Sequence, residues 1–71
     1  MGGDVVLVEP GAQVLRVARV VRRLTGLSLW RSELLVDQAP VLVLGGLPEE
    51  AAELTVTALR DAGAVAEVRT T

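Results

Sequence analysis

The stretch TGLSLWRSELLVDQAP, residues 25–40, compresses a helix stop, a helix start and a strand entry into one short passage, and its reading decides the fold. Thr25-Gly26 reads as the close of a helix, because glycine takes the left-handed conformation there without a Cβ penalty. Ser28 stands where its hydroxyl accepts a free amide from the first turn of the next helix. The spacing predicts a second, short helix over Leu29 to Asp37 with Leu29, Leu34 and Leu35 facing inward. That helix must stop before Pro40, whose ring disfavours helical geometry at Ala39. Trp30 falls where the amphipathic pattern puts a water-facing residue, and three readings of it are open. It folds down over Leu34 and fills a gap at the helix junction, it stands out as an aromatic anchor of the kind that dominates binding energies, or it is exposed without a role.

Outward from this stretch the rest of the chain falls into place. Asp4 to Glu9 (DVVLVE) is a β-branched run ended by Pro10-Gly11, and it reads as a strand. From Gln13 to Leu24, Val14, Val17, Val20, Val21 and Leu24 recur at helical spacing while Arg16, Arg19, Arg22 and Arg23 take the other side, which predicts a helix with a basic outer face. VLVL, Val41 to Leu44, is short, apolar and bounded by Pro and Gly-Gly, so it reads as a strand with Gly45-Gly46 as the turn after it. Pro48 suits the first turn of a third helix, Glu49 and Glu50 complement its dipole, and the helix runs to Ala62 with Gly63 as its cap. Val65 to Arg69 alternates apolar and charged residues as a last strand. The order β-α-α-β-α-β predicts an α+β two-layer sandwich, with three helices on one face of a three-stranded, mostly antiparallel sheet.

Seventy-one residues make one domain, near the lower size at which a chain folds alone. The chain has no cysteine and no histidine, which removes disulfides, thiol nucleophiles, cysteine-rich metal sites and the imidazole base, so neither an enzyme, a metal site nor a cofactor is expected. Apolar residues reach 51% but are interrupted by charge, and no run approaches the roughly 20 that span a bilayer. With no secretory signal at the N-terminus, the expectation is a cytoplasmic protein without membrane contact. Formal net charge is -2, yet five of the seven arginines lie in the first half and the glutamates gather in the second. The remaining clusters have simple readings. Glu49, Glu50 and Glu53 suit a helix N-terminus. Gly45-Gly46 lacks the Lys-Ser/Thr pair of a phosphate loop. Ser28 and Ser32 have no base to activate them. Four arginines without an aromatic platform read as a solvated helix face, and no direct nucleic-acid contact is expected.

The residues Asp4-Val5, Leu7, Gly11-Ala12, Val17, Val21-Arg22, Thr25-Gly26-Leu27, Leu29, Leu35-Val36, Ala39-Pro40, Gly46, Ala52-Glu53, Ala58-Leu59, Ala62-Gly63-Ala64 and Glu67-Val68 resemble the C-terminal globular domain of the bacterial ribosomal large-subunit stalk protein. The match runs without a gap from Gly3 to Arg69, and TGL.L, LVD.AP and AGA are its specific parts. The resemblance implies the same β-α-α-β-α-β sandwich and a mobile, non-catalytic module that recruits translational GTPases, such as initiation and elongation factors, to the ribosome. It places the contact surface on the first helix and the start of the second. Arg19 then stands for a family lysine, Arg22 is the family arginine, and Leu15 occupies an apolar contact position. Ala18 stands where the family has a larger aliphatic residue, and Val14 and Trp30 take normally polar or lysine positions. Glu33 replaces a lysine of the basic patch, a reversal that costs an interface with an acidic partner on the order of several kcal/mol. The chain as it stands carries neither the family's N-terminal dimerisation segment nor its hinge, which fits either an excised domain or a natural short protein.

Two further readings compete with a GTPase-binding module. In the first strand Val5 and Leu7 face the helices, which leaves Val6 and Val8 on the open side of the sheet. With two residues of Val41 to Leu44 and with Val65 they would form an apolar stripe, and antiparallel sheets ordinarily carry polar residues on a solvated face. A homodimeric scaffold or regulatory protein built through that face is the second hypothesis. The third is a protease-adaptor-like role, since the adaptor of the Clp protease resembles the same fold, although such adaptors use acidic and polar groups where this helix carries arginines.

Overall fold

The computed structural model describes residues 2–70. Strand β1 (Gly2–Glu9) is followed by helices α1 (Val14–Thr25) and α2 (Leu29–Asp37), strand β2 (Val41–Pro48), helix α3 (Glu49–Asp61) and strand β3 (Val65–Thr70). The sheet order is β2-β1-β3 with both pairings antiparallel, so the central strand is also the most buried of the three. The α+β order expected from the sequence is the one the molecule adopts.

Alternation along β1 sends Val5 and Leu7 into the core, where Val17 and Val21 of α1, Val36 of α2 and Ala52, Val56 and Leu59 of α3 meet them. Burying such side chains contributes about 1.5–3 kcal/mol each, which makes this single layer of valine and leucine the main stabilising term. The junction between α1 and α2 forms as its residues dictate. Gly26 adopts φ 77° and its N–H donates to Arg22 O at 2.9 Å. The Thr25 hydroxyl donates back to Val21 O at 2.7 Å and accepts from Leu27 N at 3.2 Å, which carries the chain out of one helix. Ser28 Oγ accepts from Arg31 N at 3.1 Å and opens the next.

Three local expectations are corrected. Gly45-Gly46 does not turn the chain: β2 continues through it to Pro48, with a register shift between Gly3 and Val5 of the facing strand. Gly46 takes φ 66°, open to glycine without strain, and its N–H donates to Asp4 Oδ1 at 2.9 Å, so the side chain supplies the partner that the interrupted ladder withholds. Pro48 is then the residue before α3 instead of a member of its first turn. A second irregularity between Val5 and Val6 sets two β2 residues against one and turns both Val43 and Leu44 toward the core. Lastly, Leu34 is 42% exposed; α2 buries Ser32 and Val36 instead and packs Leu29 and Leu35 partly against the core.

Candidate protein-binding site

Helix α1 presents one apolar stripe to the core, so what remains outside is its end and its arginines. Val14 and Leu15 are exposed at the first turn, and Arg16, Arg19, Arg22 and Arg23 are exposed along the outer side. Four guanidiniums on one helix would be stabilised by neighbouring carboxylates, yet the one ion pair among the described residues is Arg69 with Glu67, at 2.9 Å on β3. Arg16 donates a long bond of 3.4 Å to Gln13 Oε1. All four arginines line a groove of about 620 Å³ between α1 and α3, with Val20, Ala58 and Ala62 beneath them and Asp61 as the single acid. A groove of this kind suits planar carboxylates, because each guanidinium offers a fork of donors that matches them two bonds at a time.

The residues expected at the contact surface divide into three groups. Arg19 and Arg22 come together in the groove, and Leu15 and Val14 stand exposed near the start of the same helix. Ala18 is fully buried, which overturns its place on the surface: position 18 falls on the inward stripe beside Val17 and Val21, where a small side chain fits the core. Trp30 lies apart from the arginine groove. It is 69% exposed, which sets aside the reading in which it fills a gap, and it borders a shallow depression of about 350 Å³ with Leu27, Arg31, Leu34, Leu35 and Gln38. Glu33, on the same helix, is half-buried.

The apolar stripe expected on the open sheet face does not form as a continuous surface. Val6 is only 6% exposed, between cross-strand neighbours Leu42 and Glu67, and Val8 is half-buried. Of VLVL only Leu42 points outward, because the bulge turns Val43 and Leu44 in. Leu42 and Val65 are each about half-exposed, but the Glu67–Arg69 ion pair lies on the same face and breaks the apolar surface between them.

Sequence reasoning missed two features. Arg16 and Arg23, read from the sequence only as part of the basic face, join Arg19 and Arg22 in one groove, with Arg16, Arg19 and Arg23 three and four residues apart along the helix. Leu54 is 73% exposed, outside the inward set Ala52, Thr55, Val56 and Leu59, and a helical wheel of α3 places it there. Among the described residues no cluster of His, Cys, Asp or Glu could hold a metal ion, and no helix is long and apolar enough to cross a membrane. The buried hydroxyls of Ser32 and Thr55 donate to the carbonyls of Ser28 and Ala51, one turn back, at 2.9 and 2.8 Å.

Residues 3–69 match the family described as the ribosomal protein L7/L12 C-terminal domain. The large ribosomal subunit protein bL12 of Geobacillus stearothermophilus is 42% identical over 66 residues, covering 93% of this chain and 54% of that protein. Its counterparts in Rubrobacter xylanophilus and Aquifex aeolicus are 44% and 42% identical over the same share of the chain, and 52% of each is covered. The chain thus spans about half the length of the curated relatives it matches.

Proposed function

The chain belongs to the ribosomal protein L7/L12 C-terminal domain family, and from that premise we propose that it is a non-catalytic binding module of the translation apparatus that recruits translational GTPases in the cytoplasm. The observation that carries this reading is the pair Arg19 and Arg22, exposed and without an ion pair among the described residues, on the helix that also exposes Leu15. Unpaired guanidiniums attract an acidic partner at long range and fix its register at contact, while an apolar neighbour supplies the area that holds it. Trp30 lies on the following helix, beyond the groove, and in this reading widens the surface as an anchor at its edge.

Glu33 opposes the same reading locally. A half-buried carboxylate near the contact surface repels an acidic partner, so the affinity rests on the arginines of α1. The test is direct capture of purified initiation and elongation GTPases by the chain and by an Arg19→Glu/Arg22→Glu variant, with circular dichroism as the folding check. The wild type is expected to retain at least one of these factors and the variant to lose it. Retention of none by the wild type, or equal retention by both, overturns the proposal.

A further inference from the structure

Beyond partner recruitment, we propose that the groove between α1 and α3 binds a chain of adjacent phosphoryl groups, free or carried by a nucleoside. Four of the seven arginines converge there against the one carboxylate of Asp61, which leaves a net of three positive charges in a chain whose formal net charge is -2. Two of the other three guanidiniums find partners within the molecule: Arg60 Nε donates to Ala66 O at 3.2 Å, and Arg69 pairs with Glu67 at 2.9 Å. In the groove Arg16 makes only its long bond of 3.4 Å to Gln13, and none of the four arginines is in an ion pair among the described residues. Like charges held together repel, and a polyanion laid between them removes that repulsion.

The winding of α1 separates this site from the surface that carries Leu15. At about 100° per residue, Arg16 and Arg23 lie within about 20° of each other on the flank of Val20, Arg22 lies within about 20° of Leu15 on the other flank, and Arg19 stands between. Val20 is buried beside Ala58 and Ala62 of α3, and these small side chains make the floor of the groove. Its volume of about 620 Å³ falls in the roughly 300–1,000 Å³ range of small-ligand sites. From Arg16 to Arg23 is two turns, about 10.5 Å along the axis, with Arg19 in the interval. A ligand that satisfies this row carries several negative charges in a line. Guanidinium forks match phosphate and carboxylate alike, so charge density decides between them. Carboxylates on successive turns of a partner helix stand about 5–6 Å apart at their Cβ atoms, whereas consecutive phosphoryl groups share a bridging oxygen and set their charges side by side. A single-stranded nucleic acid fits less well, because its bases stack on aromatic side chains and the one aromatic residue, Trp30, borders a different depression on α2.

The test is calorimetric titration of the purified chain with sodium tripolyphosphate, in low salt and without magnesium, beside orthophosphate and ATP. Tripolyphosphate is expected to bind once per chain, about tenfold or more tighter than orthophosphate, and to weaken as salt rises. Arg16→Gln/Arg23→Gln should weaken it by about tenfold or more, since each lost guanidinium removes charge-assisted hydrogen bonds. Arg69→Gln takes the same charge from the sheet face and should change it by less than about twofold. Asp61→Asn should tighten it by about threefold, the scale of one exposed charge contact. All the substituted side chains are exposed, and circular dichroism checks the fold. ATP binding more tightly than tripolyphosphate assigns the site to a nucleotide, and ATP binding equally or less tightly assigns it to the free phosphate chain; both support the proposal. No binding of tripolyphosphate, equal affinity for orthophosphate, or equal losses in Arg16→Gln/Arg23→Gln and Arg69→Gln overturns it. So does a single-stranded oligoribonucleotide that displaces tripolyphosphate at equal phosphate concentration, which would make the groove a nucleic-acid contact. Arg16→Gln/Arg23→Gln leaves Leu15, Arg19 and Arg22 in place, so phosphate binding and GTPase capture fail independently.

Discussion

Helices α1 and α2 are consecutive, of 12 and 9 residues, and share the Gly26–Ser28 junction, yet they enter the core by different means. In α1 the buried positions are Val17, Ala18, Val20 and Val21, a stripe of small and β-branched residues continuous with the layer that packs on the sheet. In α2 the fully buried positions are Ser32 and Val36, while Trp30 and Leu34 stay out in water. The longer helix lies against both α3 and β2, and its environment rewards apolar surface at every inward position. The shorter one meets α1 closely enough that position 32 has room only for a small side chain, and the hydroxyl there turns back to Ser28 O to avoid an unsatisfied buried group. Hydrophobicity is therefore a good guide to burial along α1, which packs against α2, α3 and β2, and a poor one along α2, which packs chiefly against α1 and β2.

The contrast can be broken most severely on α1. Val21→Ala removes buried volume from a fully packed site and should cost about 2–3 kcal/mol, the transfer of two methyl-sized groups plus the cavity they leave, read as a lowered urea midpoint at unchanged slope. On α2 the opposite change is the damaging one. Ser32→Leu inserts bulk where none fits and should destabilise by about 1–3 kcal/mol, even though it makes the helix more apolar. If Ser32→Leu stabilised the chain, position 32 would be underpacked and the contrast would fall. Ser28→Ala removes the cap of α2 alone and should cost about 1 kcal/mol in the same titration. Trp30→Ala should change stability by less than about 0.5 kcal/mol, because an exposed side chain away from buried features contributes little to folding. Its effect, where the proposed recruitment holds, appears as weaker capture of the partner.

How much was legible followed the same physical division. The stop at Gly26, the cap at Ser28 and the bounds of α2 were readable because each depends on one residue and its near neighbours. The basic face of α1 was readable because a period of 3.6 needs no knowledge of what lies opposite. Ala18 was misplaced because the resemblance assigned it by its counterpart in the family, while its position on the inward stripe buries it. The Gly45-Gly46 turn was misread because two glycines signal a departure from regular backbone without saying whether the chain reverses or bulges. What decided it was Asp4, 42 residues away, whose carboxylate accepts from Gly46 N–H. Val6 was expected in the open for a similar reason: alternation names the face of a strand, but the cover over that face comes from neighbouring strands.

By itself the sequence determined the order of elements, the family, and the polarity of the chain into a basic first half and an acidic second half, because these rest on local propensity, spacing and residue type. Only the tertiary structure decided which of those charges share a groove and which side chains stand in water. Arg16 to Arg23 meet Ala58, Asp61 and Ala62 across some forty residues of chain, and Leu54 projects because the sheet and the other helices cover the far side of α3. Grooves and exposed knobs are made where separate elements come to lie together, and that placement is set by the packing of the whole core.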